Sequence, residues 1–204
     1  MSQRGPKEMW EERYGSTDDY VYGTEPNDFL VEAVAGIQPG HAMCLADGEG
    51  RNSVYLAQLG FTVSAVDLSE AAVVKARKLA EQRGVVIDAR QGDLAQLDLG
   101  EGTYDLIVSI FAHCDEATRI DLHRRVVRAL RPGGRLVLEA YTPEQIGRGT
   151  GGPQERSLTM DLERLRRELE GLELDVAVER LRPVHEGPLH TGEGAVVQLV
   201  ARRP

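Results

Sequence analysis

Apolar positions along the chain fall into short β-branched runs separated by longer stretches of helical spacing. Ala42 to Ala46, Thr62 to Val66, Val85 to Ala89, Leu106 to Phe111 and Arg135 to Tyr141 predict five strands. Between them, Arg51 to Leu59 predicts a helix stopped by Gly60. Ser69 is placed to cap a second helix running to Arg83 before Gly84, and Asp115 to Leu130 is amphipathic up to Arg131-Pro132-Gly133-Gly134. Such alternation of strand and helix implies parallel βαβ units. The rhythm breaks near the end. After a predicted helix over Leu158 to Leu169, the strands Leu174 to Leu181 and Ala195 to Ala201 follow each other without a helix, so they must pair antiparallel if they pair. The expected fold is α/β: a doubly wound, mostly parallel seven-stranded sheet with an antiparallel C-terminal strand, whose ligand crevice lies at the carboxyl ends of the strands.

One domain over 1–204 accounts for the length, with an N-terminal lid or helical segment over 1–35 and the sheet core over 36–204. The Gly- and Pro-rich stretch Thr142 to Ser157 is the single linker-like segment. A count of 24 Lys and Arg against 33 Asp and Glu gives a net charge of −9. Diffuse attraction to nucleic acid or anionic membranes is not expected. An arginine cluster from Arg124 to Arg135 has helical spacing and fits a solvated face better than an RNA contact. Cys44 and Cys114 sit in or beside apolar runs, which fits free thiols in a cytoplasmic setting; no metal site is expected. The longest clean apolar runs, such as Leu106 to Ile110, are too short to span a bilayer.

The chemistry concentrates after the first strand, where Asp47-Gly48-Glu49-Gly50 opens a helix and the next strand ends at Asp67. This is the spacing at which a carboxylate after a glycine turn reaches a ribose diol. Asp47 and Glu49 would repel the pyrophosphate of a dinucleotide, whereas a cofactor bearing an ammonium and a sulfonium would tolerate them. S-adenosylmethionine is such a cofactor. The other possibility is that Gly48 and Gly50 are plain turn residues and that Asp67 competes with Ser69 for the helix cap.

The chain resembles the class I S-adenosylmethionine-dependent methyltransferases, which have Rossmann-like sheets. The resemblance runs from about Trp10 onward and rests on Leu45-Ala46-Asp47-Gly48-Glu49-Gly50-Arg51-Asn52, Val66-Asp67-Leu68-Ser69, Gly92-Asp93-Leu94, Tyr104-Asp105-Leu106-Ile107-Val108 and Arg131-Pro132-Gly133-Gly134. Through Trp10, Arg13-Tyr14, Tyr20-Val21-Tyr22-Gly23 and Pro26-Asn27-Asp28-Phe29-Leu30 it also resembles the small bacterial branch of tellurite-resistance and thiopurine-type enzymes. The resemblance implies that Ala46, Asp47, Gly48, Glu49, Gly50 and Asn52 lie under the methionine half of the cofactor and that Asp67 takes the ribose hydroxyls. It further implies that Asp93 meets the adenine amino group with Leu94 against the ring, that Leu68 and Ile110 also bind the cofactor, and that Tyr14, Tyr22 or Arg13 lie near its carboxylate in a lid segment. Two positions depart from the family pattern: Ala46 replaces its first glycine and Cys44 its early acidic residue.

Methyl transfer from a sulfonium needs orientation more than a strong base. Where a base is used, the candidates are His113 after the fourth strand, Tyr141 closing the fifth, and His185 and His190 near the last. His113 competes with a capping role, Tyr141 with a core tyrosine, and the pair His185 and His190 with a solvated loop. Phe111 packs either on a ligand or in the core. The expected function is methyl transfer to a small-molecule acceptor with a soft sulfur, selenium or tellurium centre. The alternatives are a nicotinamide-dependent oxidoreductase and a non-enzymatic S-adenosylmethionine-binding regulator. The sequence leaves the acceptor and the oligomeric state open.

Overall fold

The computed structural model describes residues 5–187 and 190–204, so the first four residues of the expected 1–35 segment lie outside the described residues. Seven strands form one sheet in the order β3-β2-β1-β4-β5-β7-β6: β1 (His41–Leu45), β2 (Thr62–Asp67), β3 (Asp88–Gln91), β4 (Tyr104–Ile110), β5 (Leu130–Tyr141), β6 (Glu173–His185) and β7 (Thr191–Arg202). β1 to β5 pair parallel, and β7 pairs antiparallel with both β5 and β6, so it alone runs against the rest. Helices α1 (Pro6–Gly15), α2 (Asp28–Val34), α3 (Arg51–Gln58), α4 (Glu70–Gln82), α5 (Glu116–Ala129) and α6 (Leu162–Glu168) complete the order.

The two faces of the sheet follow from strand alternation. Met43, Leu45, Ile107, Leu136, Leu138 and Leu199 pack with residues of α5 and α6. Ala42, Cys44, Val63, Ala65, Val108 and Val137 pack with residues of α2, α3 and α4. The last hairpin inserts out of sequence for a legible reason. β7 is buried almost continuously from Gly194 to Ala201, whereas β6 is largely exposed and carries Glu173, Asp175, Glu179 and Arg180. A continuous apolar strand belongs inside a sheet and a charged alternating one at its edge.

Several expected boundaries are corrected: β5 starts at Leu130 rather than Arg135, β6 runs on to His185 rather than Leu181, and β7 starts at Thr191 rather than Ala195. The third strand starts at Asp88 rather than Val85, because Val85 still donates its N–H to Ala80 in closing α4, and Val86 is 89% exposed. The sixth helix starts at Leu162 rather than Leu158, because Met160 extends to donate its N–H to the Tyr141 carbonyl and Asp161 then caps the helix through the Arg164 N–H. No helix among the described residues is long and apolar enough to cross a membrane.

Candidate active site

The turn after β1 is built on left-handed backbone: Ala46 has φ 48°, Gly48 62° and Gly50 91°. A Cβ at Gly50 would lie 2.8 Å from Ala76, so this glycine permits the close approach of α4. A Cβ at Gly48 would lie 2.9 Å from the Tyr14 hydroxyl, which covers the turn. Gly48 donates its N–H to Oδ2 of Asp67 at 2.9 Å, and Ser69 donates to Oδ1 at 2.9 Å. Burial raises the Asp67 carboxyl above its usual range. With one N–H on each oxygen, Asp67 keeps acceptor capacity for a vicinal diol. This acceptor pair, beside the glycine turn, fits the ribose of S-adenosylmethionine.

Other residues expected at the cofactor are committed within the chain. Asp47 is turned to the start of α3, accepting from the Ser53 N–H and hydroxyl, and burial pushes its carboxyl up to about 6. Glu49 accepts from the N–H groups of Val21 at 2.7 Å and Tyr22 at 3.3 Å, and pairs with Nζ of Lys75 at 2.9 Å. Asn52 accepts from the Asn27 N–H at 3.0 Å. The repulsion expected between Asp47, Glu49 and a diphosphate is therefore blunted: one carboxylate faces a helix start and the other is neutralised by a lysine. Leu68 is half-buried and its carbonyl accepts from Gln91, while Asp93 is exposed and accepts from the Ala95 N–H at 2.9 Å. Leu94 packs on the α5 side of the core and Ile110 is buried on the α3 side.

The N-terminal aromatics gather over this turn. Trp10 stacks on Tyr14 at 5.6 Å, Tyr14 meets Tyr22 edge-on at 6.0 Å, and Arg13 donates to the Tyr22 hydroxyl at 3.0 Å. Glu11 accepts from the Ser69 hydroxyl and the Ala71 N–H, tying α1 to the start of α4.

A second cluster closes the carboxyl ends of β4 and β5. Phe111, at φ 54°, stacks on Tyr141 at 4.5 Å, and His113 stacks on the same ring at 5.8 Å. His190 lies 4.6 Å from Tyr22, 5.2 Å from Phe111 and 5.4 Å from Tyr141. A Cβ at Gly152 would come within 2.6 Å of the Tyr141 ring, so the 142–157 loop also reaches this cluster. His113 has both ring nitrogens engaged, with the Leu158 carbonyl at 2.8 Å and the Tyr141 N–H at 3.4 Å, and burial lowers its pKa to about 4. The Tyr141 hydroxyl and Nδ1 of His190 are buried without partners. Burial raises the tyrosine pKa and lowers that of His190 to about 4. His185 is exposed but ends β6 rather than lying in a loop, and His190, also expected in a solvated loop, lies among the rings because β7 inserts beside β5.

Beneath the cluster is a polar network that sequence reasoning missed. Glu139, fully buried on β5, accepts from Arg182 through both oxygens at 2.6–2.7 Å, from Gln198 at 2.7 Å and from Asn27 at 2.6 Å. Glu186 accepts from Asn27 at 2.6 Å, Arg182 at 3.1 Å and Arg51 at 2.5 Å. The two arginines and two glutamates balance in charge, which makes their burial tolerable.

A family model described as a methyltransferase domain matches residues 42–134. An uncharacterized protein of Mycobacterium tuberculosis is 29% identical over 141 residues, 65% of this chain and 50% of its own length. The cypemycin N-terminal methyltransferase of Streptomyces is 30% identical over 146 residues, 68% of this chain and 58% of its own length. The chain thus spans about half the length of the curated relatives it matches. Among solved structures, one described by the conversion of a disulfide bond into a thioacetal group during echinomycin biosynthesis superposes with a TM-score of 0.78 at 20% identity, covering 97% of this chain and 91% of the other. TehB from Haemophilus influenzae superposes with a TM-score of 0.75 at 20% identity, covering 96% and 67%. Sheet order, glycine turn and the match over 42–134 agree: the chain has the class I S-adenosylmethionine-dependent methyltransferase fold, and residues 42–134 match a methyltransferase domain.

Proposed function

We propose that the chain transfers a methyl group from S-adenosylmethionine to a soft sulfur, selenium or tellurium nucleophile on a small molecule. The observation that carries the cofactor assignment is the Gly48 N–H on the Asp67 carboxylate, which holds an acceptor pair at the end of β2 beside the glycine turn. The cofactor supplies an electrophilic methyl group on a sulfonium. Asp67 binds and orients the ribose, while Tyr14 and Tyr22 exclude water above the turn.

No ring of the second cluster is tuned as a strong base. His113 and His190 are held near 4 by burial, and burial makes the Tyr141 hydroxyl harder to ionise. Such a site favours an acceptor that arrives as an anion. The acceptor–carbon bond forms as the sulfur–carbon bond breaks, the electron pair returns to sulfur and no proton is released. The relative described by a disulfide-to-thioacetal conversion supports a sulfur acceptor.

Calorimetry with S-adenosylhomocysteine and with NADH, followed by turnover on thiols, selenols, tellurite and a peptide amine, tests this reading. Binding of S-adenosylhomocysteine without NADH, and turnover on the soft nucleophiles, is expected. NADH binding alone would replace the reading with an oxidoreductase, and turnover confined to the amine would replace the acceptor class. Asp67→Ala is expected to weaken S-adenosylhomocysteine by roughly 1.5–3 kcal/mol, the worth of a hydrogen bond to a charged group, and unchanged affinity would remove Asp67 from the site.

A further inference from the structure

Among the described residues, three buried side-chain nitrogen or oxygen atoms have no hydrogen-bond partner: Nη1 of Arg51, the hydroxyl of Tyr141 and Nδ1 of His190. Folded interiors seldom leave such atoms unpaired, because the hydration they lose is not replaced. Arg51 and Tyr141 are 8% and 0% exposed. The three share a neighbourhood. The other Nη of Arg51 lies 2.5 Å from Glu186, the Glu186 N–H donates to the His190 carbonyl at 2.8 Å, and the His190 ring lies 5.4 Å from Tyr141.

A guanidinium nitrogen can only donate, and a phenol and an imidazole N–H can each donate as well. A ligand group that can accept from all three donors is an oxyanion. The charges of Arg51 and Arg182 beside these rings are matched by Glu186 and Glu139, so it is the unpaired donors rather than a surplus charge that select the ligand.

The sheet order separates this cradle from the ribose carboxylate. Tyr141 ends β5 and Asp67 ends β2, with β1 and β4 between them. Three strand spacings are roughly 14 Å. We propose that Arg51, Tyr141 and His190 bind an oxyanion of the methyl acceptor, so that the substrate is a small organic acid that carries its soft nucleophile, apart from that oxyanion, on an apolar body lying against Phe111 and Tyr22. The inference rests on the methyltransferase reading above and names its substrate class.

The test is calorimetry on the whole chain saturated with S-adenosylhomocysteine, using para-mercaptobenzoate, para-mercaptobenzamide and thiophenol as probes. The acid is expected to bind at least roughly tenfold more tightly than its amide. Tyr141→Phe is expected to erase about tenfold of the acid's affinity, leave thiophenol unchanged and melt no lower than the wild type, since it deletes an unpaired hydroxyl. A tyrosine with a purely structural role would instead lower the melting temperature and leave the acid's preference intact, overturning the proposal. If Tyr141→Phe weakens S-adenosylhomocysteine but not the acid, and leaves methylthioadenosine unaffected, the donors serve the carboxylate of the cofactor and the proposal falls. Equal binding of acid and amide beside normal S-adenosylhomocysteine binding overturns the cradle alone. Failure of the wild type to bind S-adenosylhomocysteine overturns the methyltransferase reading and the cradle with it.

Discussion

At the scale of single residues, the departures from the family pattern have measurable consequences. Ala46 stands where the backbone turns left-handed at φ 48°, a conformation that an L side chain adopts at a cost of about 1–2 kcal/mol. Glycine would remove that strain and give back part of the gain as unfolded-state entropy. Ala46→Gly is therefore expected to stabilise the chain by about 0.5–1 kcal/mol in urea denaturation. A loss of stability would mean that the alanine methyl contributes packing worth more than the strain. Asp47 offers a second test. Its carboxyl titrates near 6 in the folded chain against an ordinary 3.8, because burial disfavours its charge. The folded state thus holds the proton more tightly than the unfolded state, so this group withdraws stability as pH rises from about 3.8 to about 6. Asp47→Asn keeps an oxygen for Ser53 and cannot ionise. Its stability relative to the wild type should increase between about pH 4 and about pH 7; a constant difference would show that the carboxylate is solvated after all.

Secondary elements explain both what the sequence conveys and what it hides. Capping residues and glycine stops act locally, which is why the Ser69 cap and the ends of α3 and α4 are legible in the sequence. The starts of β3 and α6 are not, because tertiary contacts decide them: the Val85 N–H is spent on α4, and that of Met160 on the end of β5. The glycine turn and Asp67 are legible for the same local reason. Glu49, in contrast, reads as a cofactor-side carboxylate and proves to clamp Val21 and Tyr22 from 28 and 27 residues away. That clamp decides how firmly the N-terminal aromatics cover the turn. Glu49→Ala removes the acceptor of both N–H groups, and hydrogen exchange at Val21 and Tyr22 should accelerate by about tenfold or more while amides of β1 and β4 stay as they were. In the wild type, S-adenosylhomocysteine is expected to add protection at 14–23 and 142–157 together, as a two-part cover requires; protection confined to 47–68 would leave the cover without a role.

At the scale of the whole molecule, the buried network joins pieces that no local pattern links. Asn27 lies 159 residues from Glu186, and Arg182 lies 43 from Glu139, yet their side chains meet at 2.6 Å. In the sequence the members, Asn27, Arg51, Glu139, Arg182, Glu186 and Gln198, are six polar residues scattered along the chain, each of which would be assigned to solvent. Their meeting follows from the insertion of β7 between β5 and β6, which brings the last hairpin over the start of α3 and the segment before α2. The network therefore holds the N-terminal segment, the glycine-turn helix and the hairpin in one arrangement, and its energetics can be tested as a unit. Arg182→Met leaves the fully buried Glu139 with two neutral amide donors in place of a paired guanidinium. Breaking a buried pair on one side costs about 3–5 kcal/mol, because the remaining charge loses its counterion without regaining water. Adding Glu139→Gln to Arg182→Met removes that stranded charge and should restore more than half of the loss. A double-mutant cycle in urea measures the coupling directly. If the two losses simply add, the ion pair is dispensable, and the hairpin is held over the site by the apolar packing of β7 alone.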